Sequence, residues 1–227
     1  MSVASGEWHQ GAVATLIAAI DDYLARFQQP GVADVRAGIA RWRSGPIKPI
    51  PRSVLPACDH LDPALDAVSA SGEPALANAI AALAPLLAWV AYDAYPRADI
   101  GAVFADGHAF ASLIGEGGFL DAAGFDLGLF LIAPNVLYRD HHHAAPELYA
   151  PLTGPHGWRF APGDRFVTRP AHVPVWNEPW QPHATLTGNV PLLCIYCWTR
   201  DVNDRARVIP TPDWATIEKD RAACASK

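Results

Sequence analysis

Residues Tyr138 to Tyr149 read YRDHHHAAPELY, which places three consecutive histidines, a glutamate and two tyrosines within twelve residues of a chain that has nine histidines in all. Read as a strand, Tyr138 to His143 alternates its side chains, so His141 and His143 share a face and His142 points away. Two ring nitrogens on one face can reach one ion. An extended chain from His141 to Tyr149 would span about 26 Å at about 3.3 Å per residue, further than one ion reaches. A turn at Ala144 to Pro146 is therefore expected, returning Glu147 beside the histidines on a neighbouring strand, and proline favours such a turn. A fourth ligand has to come from elsewhere, and His172 in PAHVP and His183 in WQPHATLTG are both candidates. Nitrogen and oxygen donors of this kind suit Fe(II), Zn, Mn, Co or Ni rather than a thiolate site. An expression tag would sit at a terminus and run longer.

Outward from this stretch, short apolar runs succeed one another: HAFASLI, LGLFLIA, ELYAPLTG, GWRFA, RFVTRP, HVPVWNE, HATLTG and PLLCIYCW, separated by Gly, Pro, Asn and Asp. Many short strands at near-regular spacing predict a sandwich or barrel. The first third differs. Val13, Leu16, Ile17, Ile20, Leu24 and Phe27 recur at helical spacing until Gln29-Pro30-Gly31 stops them. Further helices are expected over Ala33–Trp42, Pro63–Ser69 and Pro74–Val90, the last capped by Ser71 and Glu73. A proline-rich loop, SGPIKPIPRSVLPACDHLDP, joins them, and a last helix is expected over Pro212–Ala223 with Trp214 and Ile217 on one side. The chain thus divides into a helical region (1–95) packed on a β unit (96–205), with a helical extension (206–227).

The 227 residues, 51% hydrophobic, suffice for a large core. A net charge of −6 with scattered Lys and Arg offers no stripe to neutralise phosphates, so nucleic acid is not expected as a partner. Cys58, Cys194, Cys197 and Cys224 are too few and too spread for a disulfide framework. The thiols of CIYC, three apart on a strand, face opposite ways and read as core. GAVATLIAAI is preceded by Glu7 and no Lys or Arg, unlike an export signal, and the apolar run Ala75–Tyr92 contains Asn78 and Pro85. A cytoplasmic protein without membrane spans is the expectation. Arg139 and Asp140 are expected at a strand edge, Asp164 in a turn, and His60, His108 and His156 in loops or at the surface.

HHHAAPELYAPLTG follows the first cupin motif, H-x-H-x-x-x-E and then six residues to a glycine, with His141, His143, Glu147 and Gly154 in register. The glycine usually found six residues before the first histidine is Asn135 here. The second motif opens as APGDRFVTRPAHVP, but a Trp-rich insertion, VPVWNEPW, delays its histidine. The combination Y-x-x-H-x-H-x-x-x-E-x-Y, with WQPHATLTGNVPLLCIYCW some thirty residues on, resembles the cupin-type dimethylsulfoniopropionate (DMSP) lyases of marine bacteria over roughly 104–200. The resemblance implies an α+β, mainly β fold, a double-stranded β-helix barrel with an N-terminal helical layer and a short C-terminal helix. It implies one divalent transition metal per chain, Fe(II) or Zn foremost, held by His141, His143, Glu147 and His183, with Tyr149 and Tyr138 in the active site. A homodimer is also implied.

Such relatives cleave DMSP to dimethyl sulfide and acrylate by β-elimination. A base removes the proton α to the carboxylate, and a Lewis acid on the substrate oxygens stabilises the developing charge. Tyr149, two residues from Glu147 on the same face, is the expected general base, activated by the nearby cation because a phenol titrates near 10. Tyr138 would orient substrate or share the proton. The sulfonium would be held by cation–π contacts, for which Trp158, Trp176, Trp180, Tyr196 and Trp198 are candidates. Alternative readings are an Fe(II) dioxygenase using the same ligands and a non-catalytic cupin that binds a small ligand.

Overall fold

The structure, a computed structural model, describes residues 3–225, with side chains for 10–223. Four helices come first: α1 (Val3–Leu24), α2 (Val32–Trp42), α3 (Leu61–Ala70) and α4 (Pro74–Leu83). The helix expected to run to Val90 stops at Leu83 because Pro85 has no N–H to continue it, and a 3-10 turn, Ala84–Leu86, follows. Val90 is instead extended, bridging Phe110 by two 2.9 Å backbone bonds. The expected caps are also absent: Glu73 sits at the N-cap but its side chain pairs with Arg26 rather than capping the helix, and Ser71 Oγ turns back to Val68 O. Among the described residues no helix is long and apolar enough to cross a membrane.

Two short helices, α5 (Arg97–Ile100) and α6 (Ala102–Gly107), lead into ten strands. These are β1 (His108–Ile114), β2 (Asp126–Ile132), β3 (Leu137–His142), β4 (Glu147–Pro151) and β5 (His156–Arg159), then β6 (Val167–Arg169), β7 (Val175–Asn177), β8 (His183–Leu186), β9 (Leu192–Trp198) and β10 (Arg207–Val208). They form two five-stranded antiparallel sheets, β1-β2-β9-β4-β7 and β10-β3-β8-β5-β6, the expected cupin barrel. Helix α7 (Trp214–Ala225) closes the chain.

The period of two along each strand decides the layers. Leu127, Leu129, Leu131, Leu148, Ala150, Leu193, Ile195 and Cys197 face outward and merge with Leu16, Ile20, Leu24, Val35, Ile39, Leu65, Ile80 and Leu83 of the helices in one buried cluster. Phe130, Ile132, Tyr149, Cys194 and Tyr196 face inward and meet Tyr138 and Trp158 of the other sheet. The first sheet is thus buried on both faces, which is why its strands read as apolar runs rather than alternating ones. Removing one such side chain, as in Leu129→Ala, costs about 2–5 kcal/mol. Cys194 and Cys197 fall on opposite faces, buried and free, as expected; the Cys224 side chain lies outside the described residues.

The second sheet carries α7 on its outer face through Leu137, Leu186, Phe166, Val208, Trp214 and Ile217. Asp140, expected at an edge, is fully buried there: it pairs with Arg159 and accepts a 2.7 Å bond from Trp214 Nε1. An isolated buried charge would be far more costly than this pair. His108 and His156, expected in loops or at the surface, are also buried.

Candidate metal centre and its cavity

Tyr138 and His141 are an odd number of residues apart, which in a regular strand would set them on opposite faces. The β3–β8 register shifts between them, and this irregularity turns both side chains inward. Asn135, which stands where the cupin motif has a glycine, precedes β3 with φ of 59°. Asparagine is one of the few residues that tolerates this left-handed backbone. Position 154 has no room for a side chain, since a Cβ there would lie 2.4 Å from the Ala171 backbone nitrogen, so it is glycine.

The segment 143–146 does not return Glu147 to a neighbouring strand, as expected from the turn. It carries the chain from β3 in one sheet to β4 in the facing sheet. His141, His143 and His183 then converge with Glu147 across the barrel interior. The ligating atoms of the three histidines lie within 4.8 Å of one another, all buried. Glu147 Oε2 is 3.3 Å from His143 Nε2 and 3.4 Å from His183 Nε2. Neighbouring donors of an ion with bonds of about 2.1 Å are spaced about 3.0–3.5 Å apart.

Each imidazole is oriented by a backbone carbonyl. His141 Nδ1 donates to Arg139 O (2.8 Å), His143 Nδ1 to Ala145 O (2.7 Å) and His183 Nδ1 to Gln181 O (2.9 Å). A carbonyl only accepts, so Nδ1 carries the proton and each neutral ring turns its Nε2 lone pair inward. His141 Nε2 and His183 Nε2 are buried without a hydrogen-bond donor. Burial, and then the neighbouring His183 and His143, hold the His141 pKa well below its ordinary value. Buried lone pairs facing one point call for a cation, and the three histidines are grouped as metal ligands would be, with Glu147 Oε2 beside two of them.

Two groups invisible in the motif hold Glu147 itself. Trp198 Nε1 donates to Oε1 (2.7 Å) and Asn177 Nδ2 to Oε2 (3.1 Å). Both are cross-strand partners of Glu147 in the first sheet, so only strand register could have found them. The inserted VPVWNEPW segment thereby has a use: it supplies β7 and Asn177.

Glu147 opens onto a cavity of about 140 Å³ walled by Tyr92, Tyr95, Phe104, Phe110, Phe130, Tyr138, Tyr149, Tyr196 and Trp198, with His108, Asp126 and Val202. Tyr149 is buried, and its hydroxyl bonds to no other described residue. Tyr138 exchanges a 2.9 Å hydrogen bond with Tyr95, a residue of the loop before α5 that the motif does not include. Burial foremost, with Glu147 adding to it, holds the Tyr149 phenol well above its ordinary range; Tyr138 is raised chiefly by burial too.

Of the five aromatic residues expected around a substrate, only Tyr196 and Trp198 line this cavity. Trp158 packs behind Tyr149 in the core (ring centroids 5.7 Å). Trp176 sits on the outside of its sheet, where a Cβ at Gly31 would strike its ring. Trp180 is 45% exposed beside His142, which faces away from the cluster. Strand alternation explains this: Trp176 is offset by one residue from the inward-facing Val175 and Asn177. His172 is likewise excluded, bonded to Tyr23 and Ser71 of the helical layer.

The dimethylsulfoniopropionate lyase family model matches residues 43–194. The DMSP lyase DddQ of Ruegeria pomeroyi is 28% identical over 127 residues, which cover 52% of this chain and 58% of that protein. The crystal structure of DddQ from Ruegeria pomeroyi DSS-3 superposes with a TM-score of 0.67 at 21% identity, over 87% of this chain and 96% of that one. A solved chain from the crystal structures of the DMSP lyases RdDddP and RnDddQII gives 0.66 at 20%, over 89% and 100%. At these identities the structural likenesses establish the shared fold, and the family match covers most of the chain. By that match the chain belongs to the dimethylsulfoniopropionate lyase family.

Proposed function

We propose that this chain is a metal-dependent carbon–sulfur lyase that splits DMSP into dimethyl sulfide and acrylate. The observation that carries the reading is the convergence of three buried histidines beside the Glu147 carboxylate, which itself lines a cavity together with Tyr149. His141, His143, Glu147 and His183 would hold one divalent ion, Fe(II) or Zn foremost, with Mn, Co or Ni also compatible with the donors. When bound, it supplies Lewis-acid chemistry: positive charge for the negative charge developing on the substrate carboxylate, and for lowering the pKa of the nearby phenol.

Tyr149 acts as the general base, its Oη taking the proton α to the carboxylate. The electron pair released forms the carbon–carbon double bond as the β carbon–sulfur bond breaks and dimethyl sulfide leaves. Tyr138, held by Tyr95, orients the substrate. Asn177 and Trp198 fix both Glu147 oxygens. The largely aromatic walls lower the local polarity, which strengthens charge interactions beside them.

The test is to load the purified chain in turn with Fe(II), Zn, Mn, Co and Ni, add DMSP and measure headspace dimethyl sulfide. Release with at least one metal is expected. No release with any of them would remove the lyase reading.

A further inference from the structure

The cavity has a second polar pole. Asp126 opens β2 and lines the cavity among Tyr92, Phe110, Tyr196 and Trp198. Its Oδ2 accepts a 3.1 Å bond from Tyr196 Oη, which is also 3.0 Å from Ser112 Oγ. Its Oδ1, beside Gly115, is buried with no hydrogen-bond partner. Among the described residues no Lys, Arg or His is hydrogen-bonded or ion-paired to it, in contrast to Asp140 with its Arg159. Asp126 as a whole is half-buried, but a buried carboxylate oxygen left without a donor is unfavourable for folding unless something else uses it.

Its place in the sheet relates it to the candidate metal centre. Asp126 pairs with Trp198, and Trp198 pairs on its other side with Glu147, so the three form one inward-facing row. With adjacent strands about 4.8 Å apart, the two acids anchor side chains at opposite ends of a span of about 10 Å. In a propanoate bearing a β cation, the carboxyl carbon and the cationic atom are about 4 Å apart by bond lengths. An ion at one end and two side chains take up the rest.

We propose that Asp126 is the specificity-determining anion of this cavity, selecting small carboxylates that carry a fixed onium charge, sulfonium or quaternary ammonium, over uncharged ones of the same shape. This deepens and rests on the lyase reading, whose substrate is one such onium. A fixed cation cannot shed its charge by losing a proton, so entry into a buried cavity leaves a desolvation penalty that aromatic faces offset only in part. A desolvated carboxylate at hand offsets much of the remainder and itself gains a partner. Burial raises the Asp126 pKa to about 6, so the group is charged in neutral buffer.

The test compares two ligands that do not turn over, β-alanine betaine and its uncharged isostere with carbon in place of nitrogen, binding to the zinc-loaded full chain by calorimetry. The unaltered chain is expected to prefer the betaine on the order of tenfold to a hundredfold, as for a charge-assisted contact. Asp126→Asn, which keeps the shape, should bind the two equally while retaining the uncharged ligand. Asp126→Ser should behave likewise, so the result does not depend on one variant folding. Equal binding by the unaltered chain, or a betaine preference that survives both substitutions, would overturn the proposal. Turnover is not involved: absence of dimethyl sulfide alongside Asp126-dependent selectivity would remove the lyase reading and leave this one standing.

Discussion

Two sets of histidines behave differently in this molecule, although His108 and His156 of the first set are as buried as all three of the second and only His172 is half-buried. His108, His156 and His172 each have both ring nitrogens engaged: His108 with Phe104 O and Tyr92 N, His156 with Gly188 N and Thr153 Oγ1, His172 with Tyr23 and Ser71. His141, His143 and His183 each spend Nδ1 on a backbone carbonyl and turn Nε2 toward the others. Burial therefore does not mark a ligand. What marks it is a buried nitrogen that no protein donor can satisfy, repeated around one point.

The comparison can be broken most directly at Tyr149. Tyr149→Phe should lower dimethyl sulfide release by about 10²–10⁴-fold, the usual worth of a general base, while metal content measured by elemental analysis is unchanged. Metal loss in that variant would mean that the tyrosine belongs with the ligands. His183→Ala should do the opposite: it should empty the metal site and abolish release, with the melting temperature of the metal-free chain nearly unchanged. A folded, metal-free His183→Ala protein that keeps activity would remove His183 from the centre.

The satisfied histidines predict a stability effect instead. His156→Gln should cost about 1–3 kcal/mol, read as a lower denaturant midpoint, with metal content intact. Its pH dependence has a definite sign. Burial lowers the His156 pKa to about 4, below its ordinary 6.5, so the unfolded chain binds more protons between those values. Stability is therefore full above about pH 6.5 and is lost as pH falls toward 4, and part of that loss should vanish in His156→Gln.

The smallest effect is expected at Asp126, where the sign reverses. Its folded pKa of about 6 lies above the ordinary 3.8, so the native state binds the extra proton and stability falls as pH rises through that window. Asp126→Asn should accordingly stabilise the chain by about 1–2 kcal/mol above pH 6 and change little below pH 4. A destabilised Asp126→Asn at neutral pH would show that the carboxylate is held for folding.

Much was legible in the residues. The eight apolar runs became eight strands because chain periodicity and turn residues act locally, and β1 coincides with HAFASLI. The pairing of His141 with His143, and the exclusion of His142, follows from strand alternation alone. Other features depended on distant chain. The helix expected through Val90 failed because one proline and an available strand edge at Phe110 outweighed an apolar pattern. The five aromatic candidates could not be sorted by composition, because an offset of one residue sends a ring to the other face of a sheet.

The local spacing H-x-H-x-x-x-E with its flanking tyrosines determined which residues could meet one ion, since strand geometry operates over a few residues. Only the tertiary structure decided that Glu147 faces the histidines from the opposite sheet and that Asn177 and Trp198 hold it. It alone placed Tyr95 and Asp126 in the same cavity. Register and barrel closure set those neighbours, through backbone pairings between strands far apart in the chain.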